Sequence, residues 1–264
     1  MSRLPTLFIS HGSPMHALDA GAAGATWRRL GAQLPRPQAI LIASAHWETT
    51  RPLLTGAPRP ATIHDFSGFP EPLYQIRYPA PGAPELARRA QALLAAAGLE
   101  ATLDPERGLD HGAWSPLLHM YPAADIPVVQ VSIQPALGAA HHLALGRALA
   151  PLAEEGVLVI GSGHMTHNLR EWMRGEFATA PATYVQEFRD WVDARIRARD
   201  FDALTAYRAK APHAGRAHPT EEHFLPLFVA LGAAAASAQA ERLLDTIEGG
   251  VLAMDAYLFQ PASG

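Results

Sequence analysis

Histidines follow three of the apolar, β-branched runs in this sequence. "LFIS" is followed by His11, "AILIASA" by His46, and "VLVIGSG" by His164 and then His167. Ligands bind beyond the carboxyl ends of the strands in open α/β sheets, so imidazoles at several such ends favour one shared site. A single histidine of this kind is more often structural, bonded to a loop carbonyl. Three strand ends carrying histidines therefore predict a site lined by imidazoles.

A further candidate lies in "HPTEEHFLPL", where Thr220 is the predicted N-cap of a helix. Glu221 and Glu222 in its first turn would interact favourably with the helix dipole. His223 is unusual there, because a cation is disfavoured at a helix N-terminus. A neutral imidazole is acceptable, and it is the form that binds metal. Together with the histidines that end the first two strands, His223 would complete the open coordination typical of a catalytic metal.

His111 in "GLDHGAWSPLL" has two interpretations. On a loop before a short predicted helix, Trp114 to Met120, it could reach a substrate as a hydrogen-bond donor or general acid. Alternatively, it caps that helix together with Asp110. The same helix contains His119, for which we predict a surface or packing role.

The remaining histidines are predicted to lie outside the site. His141 and His142 begin a helix and are expected to face solvent, whereas His16 is expected in a loop. His64, in the aromatic segment "TIHDFSGFP", is the exception, because its loop could overhang the site. His213 and His218 are also expected in loops.

Alternation of apolar strands with helical stretches predicts an α/β fold, with a mostly parallel central sheet flanked by helices. The predicted strands are Leu7–Ile9, Ala39–Ala43, Val128–Ile133, Val157–Ile160 and a late one at Leu252–Phe259. The predicted helices include Glu85–Ala97, His141–Glu155 and Tyr184–Arg199. No linker divides the chain, so one catalytic domain over residues 1–264 is expected, with the proline-rich stretch 51–84 as an ordered flap.

Composition narrows the classes of function. Only 17% of residues are charged, the net charge is −4, and no basic cluster stands out, so nucleic acid is not an expected partner. Apolar runs fall far short of the roughly 20 residues that span a bilayer, and no secretion signal opens the chain. Cysteine is absent, which fits a cytoplasmic location. Any transition-metal site must then use imidazole and carboxylate ligands.

The motifs "HGSPM", "SAHW", "TIHDFSGFP", "YPAPG", "LDHGAWSPL", "HNL" and "HPTEEHFLPL" together resemble the class III extradiol ring-opening dioxygenases, in the branch that cleaves DOPA. The resemblance covers nearly the whole chain, with the motifs in the family's order. It implies an α/β enzyme with one mononuclear divalent metal, Fe(II) for turnover, in a site that zinc can also occupy. It further implies His11, His46 and His223 as metal ligands, His167 as acid/base or fourth ligand, and His111 as a contact to substrate or oxygen.

The implied partners are a small catechol and O2, with a semialdehyde acid as product and a monomer or homodimer as the assembly. Related enzymes use two histidines and one carboxylate, so Glu222 is an alternative to His223 as the third ligand. A carboxylate on the substrate would need a cationic partner, for which Arg77 and Arg170 are candidates.

Two other functions remain compatible with the residues alone. A zinc hydrolase could use the same imidazoles with a metal-bound water, and a histidine-rich storage protein would hold several metals per chain. Ser162 in "GSGHM" resembles a nucleophile elbow only superficially, because its frame does not fit.

Overall fold

The predicted strands lie side by side in the computed structural model, which describes residues 3–175, 177 and 180–261. The strands within these residues are β1 (Thr6–Ser10), β2 (Ala39–Glu48), β3 (Leu53–Thr55), β4 (Thr102–Asp104), β5 (Val128–Ile133), β6 (Val157–Gly163), β7 (Gln239–Leu244), β8 (Ile247–Glu248), β9 (Leu252–Ala253) and β10 (Ala256–Gln260). Eight of them form one sheet, in the order β4-β3-β5-β2-β6-β1-β10-β7. β8 and β9 form a separate antiparallel pair.

The centre of the sheet is parallel, since β5, β2, β6 and β1 all run in one direction. Antiparallel pairing occurs toward the edges, between β3 and β5 and among β1, β10 and β7. The prediction of an α/β fold with a mostly parallel sheet is confirmed. The predicted domain limits, residues 1 and 264, lie outside the described residues.

Helices cover both faces of this sheet. They are α1 (Gly21–Gln33), α2 (Glu71–Gln75), α3 (Pro84–Ala96), α4 (His111–Met120), α5 (Gly138–Leu149), α6 (Leu169–Arg174), α7 (Thr183–Ala198), α8 (Phe201–Thr205), α9 (Tyr207–Lys210), α10 (Ala214–Ala217) and α11 (Leu225–Ala233), with 3₁₀ turns at Pro14–Ala17, Pro135–Leu137 and Ala150–Ala153. None of the helices within the described ranges is long and apolar enough to cross a membrane.

Successive residues of β1 bury their side chains on opposite faces of the sheet. Leu7 and Ile9 join a core with α1 and α4, whereas Phe8 joins a core with α7 and α11. A third cluster packs α3 and α5 against β2 and β5. Because helices cover both faces of the sheet, the central strands consist of continuous apolar runs. This is the sequence pattern from which the strands were predicted.

Some predicted boundaries were wrong for identifiable reasons. β2 continues to Glu48 past a register irregularity, so His46 lies within the strand rather than after it. Thr220 is not an N-cap, because the helix begins at Leu225 with Pro226 in its first turn, where a missing N–H costs nothing. The late strand is interrupted between β9 and β10.

The strand ends that carry histidines meet at one level of the sheet. Ser10 pairs with Gly163, and Ser44 pairs with Ser162, so the ends of β1 and β6 lie level with the part of β2 that leads into His46. The turn before α11 approaches this edge closely, because a Cβ on Gly163 would lie 2.1 Å from the carbonyl oxygen of His223. Glycine at this position therefore allows His223 to reach the ends of the parallel strands.

Candidate metal centre

The structure brings the five predicted site histidines to the wall of one cavity of about 660 Å³. They are His11, His46, His111, His167 and His223. The volume is typical of a small-molecule site. His164, which the strand-end pattern also singled out, lines the same cavity.

Three of these imidazoles place ring nitrogens close together. Candidate ligand atoms of His11, His46 and His223 all lie within 4.8 Å of one another, and Nε2 of His11 is 2.9 Å from Nε2 of His46. The main chain fixes His11, whose N–H donates to Gly163 O at 3.0 Å. The N–H of His46 donates to the hydroxyl of Ser44 at 3.2 Å.

The hydrogen bonds of Ser162 determine the tautomer of His11. The Ser162 hydroxyl donates to the carbonyl oxygen of Gly112, which can only accept. That hydroxyl must therefore accept the hydrogen of His11 Nδ1, 3.0 Å away. His11 is left with a lone pair on Nε2, directed away from Ser162. The same bond commits the Ser162 proton, which agrees with its exclusion as a nucleophile.

Carboxylates lie beside Nδ1 of the other two imidazoles, as a hydrogen-bond acceptor for His223 and as a longer ion-pair contact for His46. His223 Nδ1 lies 3.0 Å from Oε1 of Glu222, and His46 Nδ1 lies 3.3 Å from Oδ2 of Asp65. An acceptor on Nδ1 fixes the ring and leaves Nε2 free, which is the usual arrangement around metal-ligating histidines. Each of the three imidazoles therefore has an oxygen partner behind it and a nitrogen available at the centre.

These imidazoles are held neutral. Burial, reinforced by neighbouring histidines, lowers the pKa of His11 and His223 well below the ordinary value of 6.5. The same causes lower the pKa of His46 to about 3. The Asp65 carboxylate beside Nδ1 of His46 places the ring hydrogen there, so the lone pairs on Nε2 of His46 and His11 face each other at 2.9 Å and repel unless a cation lies between them. The donor set therefore fits a divalent metal ion.

Two further clusters in the described chain also have the composition of a metal site, and each shares one histidine with the first cluster. They are His46, Asp65 and His111, and His167, Glu222 and His223. Each contains a carboxylate that accepts a hydrogen bond from an imidazole of the cluster, Asp65 from His111 at 2.9 Å and Glu222 from His223 at 3.0 Å. Those bonds account for the proximity of their atoms. The cluster of three histidines contains no carboxylate, and its shortest contact joins two imidazole nitrogens.

His111 is the first residue of α4, with Asp110 as N-cap, rather than a loop residue. Asp65 accepts from both the main-chain N–H of His111 (2.8 Å) and its Nδ1 (2.9 Å). Burial opposes ionisation of Asp65, but the hydrogen bonds from His111 and the proximity of the His111 and His46 rings hold its pKa at about 2. The ring of His111 lies 4.0 Å from that of His46. Asp65 thus orients two imidazoles at once.

His167 stacks face to face on His223, with ring centroids 3.5 Å apart and planes 14° apart. Burial and the neighbouring histidines lower its pKa to about 3. Its ring nitrogens group with Glu222 and His223, not with His11 and His46. This position beside the three-histidine cluster favours the acid/base role over that of a fourth ligand.

Other predicted residues lie elsewhere than expected. His64 does not line the cavity, although its neighbours Asp65 and Phe66 do. His16 does line it, in a 3₁₀ turn rather than a loop. His142 is buried rather than exposed, because its ring accepts from Gln134 N–H and donates to the Gly138 carbonyl.

The two arginines considered as partners for a substrate carboxylate are also elsewhere. The guanidinium of Arg77 donates to the main-chain carbonyls of Tyr74 and Ile76. Arg170 lines a separate depression together with Arg174. Neither lines the cavity of the histidines.

Sequence reasoning missed Asp65 and the positioning role of Ser162. Asp65 adjoins His64 in a loop, where no periodicity indicates which side chain points inward. The sequence around Ser162 indicates only a resemblance to a nucleophile motif. Its role as the acceptor for His11 depends on the hydrogen bond that its hydroxyl donates to Gly112, which the sequence does not indicate.

Comparisons with known proteins identify the family. The family model described as the catalytic LigB subunit of aromatic ring-opening dioxygenase matches residues 5–248. The chain is 45% identical over 259 residues to the 4,5-DOPA dioxygenase extradiol of Beta vulgaris, with 96% of each covered. It is 44% identical to the protein of that name from Escherichia coli (strain K12), covering 88% of this chain and 86% of that protein.

A solved structure agrees as well. The crystal structure of an uncharacterized protein from Escherichia coli K12 superposes with a TM-score of 0.81 at 36% identity, covering 98% of this chain and 100% of that one. A family match over most of the chain and relatives at this identity are sufficient for assignment. The chain belongs to the LigB family of aromatic ring-opening dioxygenases, and it is an extradiol enzyme.

Proposed function

We propose that this enzyme opens the ring of a catechol such as DOPA, or a related catecholic acid, with O2. The bond broken is the ring C–C bond beside the diol, and both oxygen atoms enter a muconic semialdehyde-type product. The observation that carries the proposal is the convergence of three neutral imidazole nitrogens at the closed end of an aromatic-walled cavity.

In this proposal His11, His46 and His223 hold one mononuclear metal ion, with Glu222 behind His223 rather than at the metal. Bound Fe(II) would supply the redox chemistry that O2 requires, which zinc lacks. A protein loaded with zinc alone should therefore bind catechols without cleaving them.

Two further imidazoles move protons. His167, neutral and stacked on His223, accepts a proton from a catechol hydroxyl. His111 lines the cavity, and because its Nδ1 donates to Asp65, its Nε2 donates to the reacting oxygens only while both ring nitrogens carry hydrogen, a charge that the Asp65 carboxylate balances. Phe66 and Phe69 line the cavity and exclude water from the ring. The enzyme acts in this proposal on a small molecule in the cytoplasm, as a monomer or homodimer.

A storage protein and a zinc hydrolase, the two alternative functions, would each have different properties. A storage protein needs several independent sites, whereas the candidate clusters in the described chain overlap at His46 and His223. A zinc hydrolase consumes no oxygen. Oxygen uptake therefore separates the dioxygenase from the hydrolase directly.

The test is anaerobic reconstitution with Fe(II), followed by addition of oxygen and a panel of catechols. We expect oxygen uptake that matches the formation of a yellow semialdehyde. His46→Ala should abolish both, whereas His213→Ala, a surface histidine paired with Glu187, serves as the matched control. Absence of colour and oxygen uptake across the panel would overturn the proposal.

A further inference from the structure

The outer part of the cavity, which we call the mouth, differs in charge from the end that holds the imidazole cluster. Asp19 and Glu248 line the mouth. The cavity-lining residues that the structure describes include no lysine or arginine. The third carboxylate of the lining, Asp65, is already bonded to His111 at the inner end.

His16 supplies one positive charge at the mouth. Its Nδ1 lies 3.1 Å from the Ser13 carbonyl oxygen, and its Nε2 lies 2.8 Å from Oε1 of Glu248. Both partners accept, so both ring nitrogens carry hydrogen and the ring is an imidazolium. Two carboxylates against one imidazolium leave the mouth with a net negative charge.

An unpartnered acceptor lies in the same cavity. The side chain of His164 is buried and lines the cavity, yet its Nδ1 has no hydrogen-bond partner in the described chain. The ring bonds to the Ala253 carbonyl, which requires a hydrogen on its other nitrogen. Nδ1 of this neutral ring therefore presents a lone pair, which suits a donor on a ligand.

An indole packs against the residue that follows Glu248, and both side chains line the cavity. Trp172 lines the cavity and is 44% exposed. It packs on Gly249, the residue after Glu248, so closely that a Cβ there would lie 2.5 Å from the indole ring. An indole beside a carboxylate is a favourable environment for an ammonium group.

We infer that Glu248 and Asp19, with the face of Trp172, select catechols whose side chain ends in a protonated amine. The inference rests on the proposed function and specifies its substrate class. The diol lies among the inner imidazoles, and the ammonium lies at the mouth. A substrate carboxylate finds no cationic partner there except His16, both of whose ring nitrogens already have acceptors, whereas Glu248 bonds His16 through Oε1. In DOPA it is therefore the amine that is recognised.

Binding to the zinc-loaded protein tests this selectivity without turnover. The probes are dopamine, neutral 4-ethylcatechol and dihydrocaffeate, which differ mainly in the charge of the side chain. We expect dopamine to bind about tenfold more tightly than 4-ethylcatechol, because an ammonium and a carboxylate form a charge-assisted hydrogen bond, and dihydrocaffeate to bind more weakly than either. Equal affinities for the three probes would overturn the inference.

Variants assign the selectivity to residues. Glu248→Gln should reduce the dopamine-to-dihydrocaffeate ratio about tenfold, and Asp19→Asn should reduce it less, because Asp19 is exposed. Glu155→Gln, which loses a surface carboxylate paired with Arg89, is the matched control and should keep the ratio. If Glu248→Gln weakened all three probes equally, its role would be structural and the inference would be wrong.

The same probes with the Fe(II) enzyme separate the two proposals. Cleavage of 4-ethylcatechol without preference for dopamine in kcat/KM would sustain the dioxygenase and overturn the ammonium selectivity. Failure to bind or cleave any of the three would overturn both.

Discussion

His11 and His16 are five residues apart, both are buried, and both line the same cavity, yet their pKa values shift in opposite directions. Burial holds the pKa of His11 well below 6.5. The pKa of His16 is raised, because its bonds to Glu248 and Ser13 outweigh the effect of burial. The inner end of the cavity therefore contains neutral ligands, whereas the mouth contains an ion pair.

The difference comes from the partner behind each ring. Ser162 has already donated its proton to Gly112 and offers His11 a neutral acceptor. Glu248 offers His16 a full negative charge. His16 has acceptors on both ring nitrogens, whereas His11 has an acceptor oxygen on Nδ1 alone, so Nε2 of His11 keeps a lone pair for a metal.

The largest expected effect is the loss of metal binding in His11→Ala. Loss of a ligand should exceed the roughly 10–100-fold loss of affinity that follows removal of a supporting partner. His16→Ala should bind metal as the wild type does, since its ring belongs to the mouth. Anaerobic titration with Fe(II), or with zinc, measures the metal affinity of both variants. Similar affinities in the two variants would contradict the assignment of His11 to the metal and of His16 to the mouth.

A second pair of variants tests the assignment of the third ligand. Glu222→Gln should lower metal affinity by about 10–100-fold while one metal per chain still binds, because only the partner of His223 Nδ1 is weakened. His223→Ala should lose the metal. A greater loss in Glu222→Gln than in His223→Ala would show that the carboxylate is the ligand.

Ser162→Ala should have a smaller effect. It removes the acceptor of His11 Nδ1, so we expect metal affinity to fall about tenfold and the free energy of unfolding to fall by about 1–3 kcal/mol. Ser115 is equally buried, and its hydroxyl has no partner in the described chain, so Ser115→Ala is the control. Equal effects of both substitutions on metal affinity would mean that Ser162 does not orient His11.

The smallest effect concerns the stability of the mouth. Because the folded pKa of His16 is raised above 6.5, its bond to Glu248 stabilises the fold fully below pH 6.5, and this contribution is lost as pH rises through the folded pKa. Glu248→Gln should lower the free energy of unfolding by less than about 1 kcal/mol at pH 5.5, because Glu248 is partly exposed. The difference in free energy of unfolding between the wild type and this variant should vanish at high pH. Chemical denaturation at several pH values measures this difference, and an increase with pH would contradict the predicted direction.

Strand-end placement was enough to predict that His11, His46 and His167 share a cavity, because the carboxyl ends of parallel strands share one edge. It could not distinguish His11 from His16, since their partners come from β6 and β8, far away in sequence. Nor could it indicate Asp65, whose direction depends on how the long segment after β2 folds back onto α4. The fold was predictable from local periodicity, whereas the protonation states depend on long-range partners.

The account rests on one metal ion among three neutral imidazoles. The most direct test is a crystal structure of the metal-loaded protein, with diffraction data collected at the absorption edge of the metal. We predict one anomalous peak per chain, contacted by Nε2 of His11, His46 and His223. A peak held instead by Asp65 and His111, or by Glu222 and His167, would contradict the account.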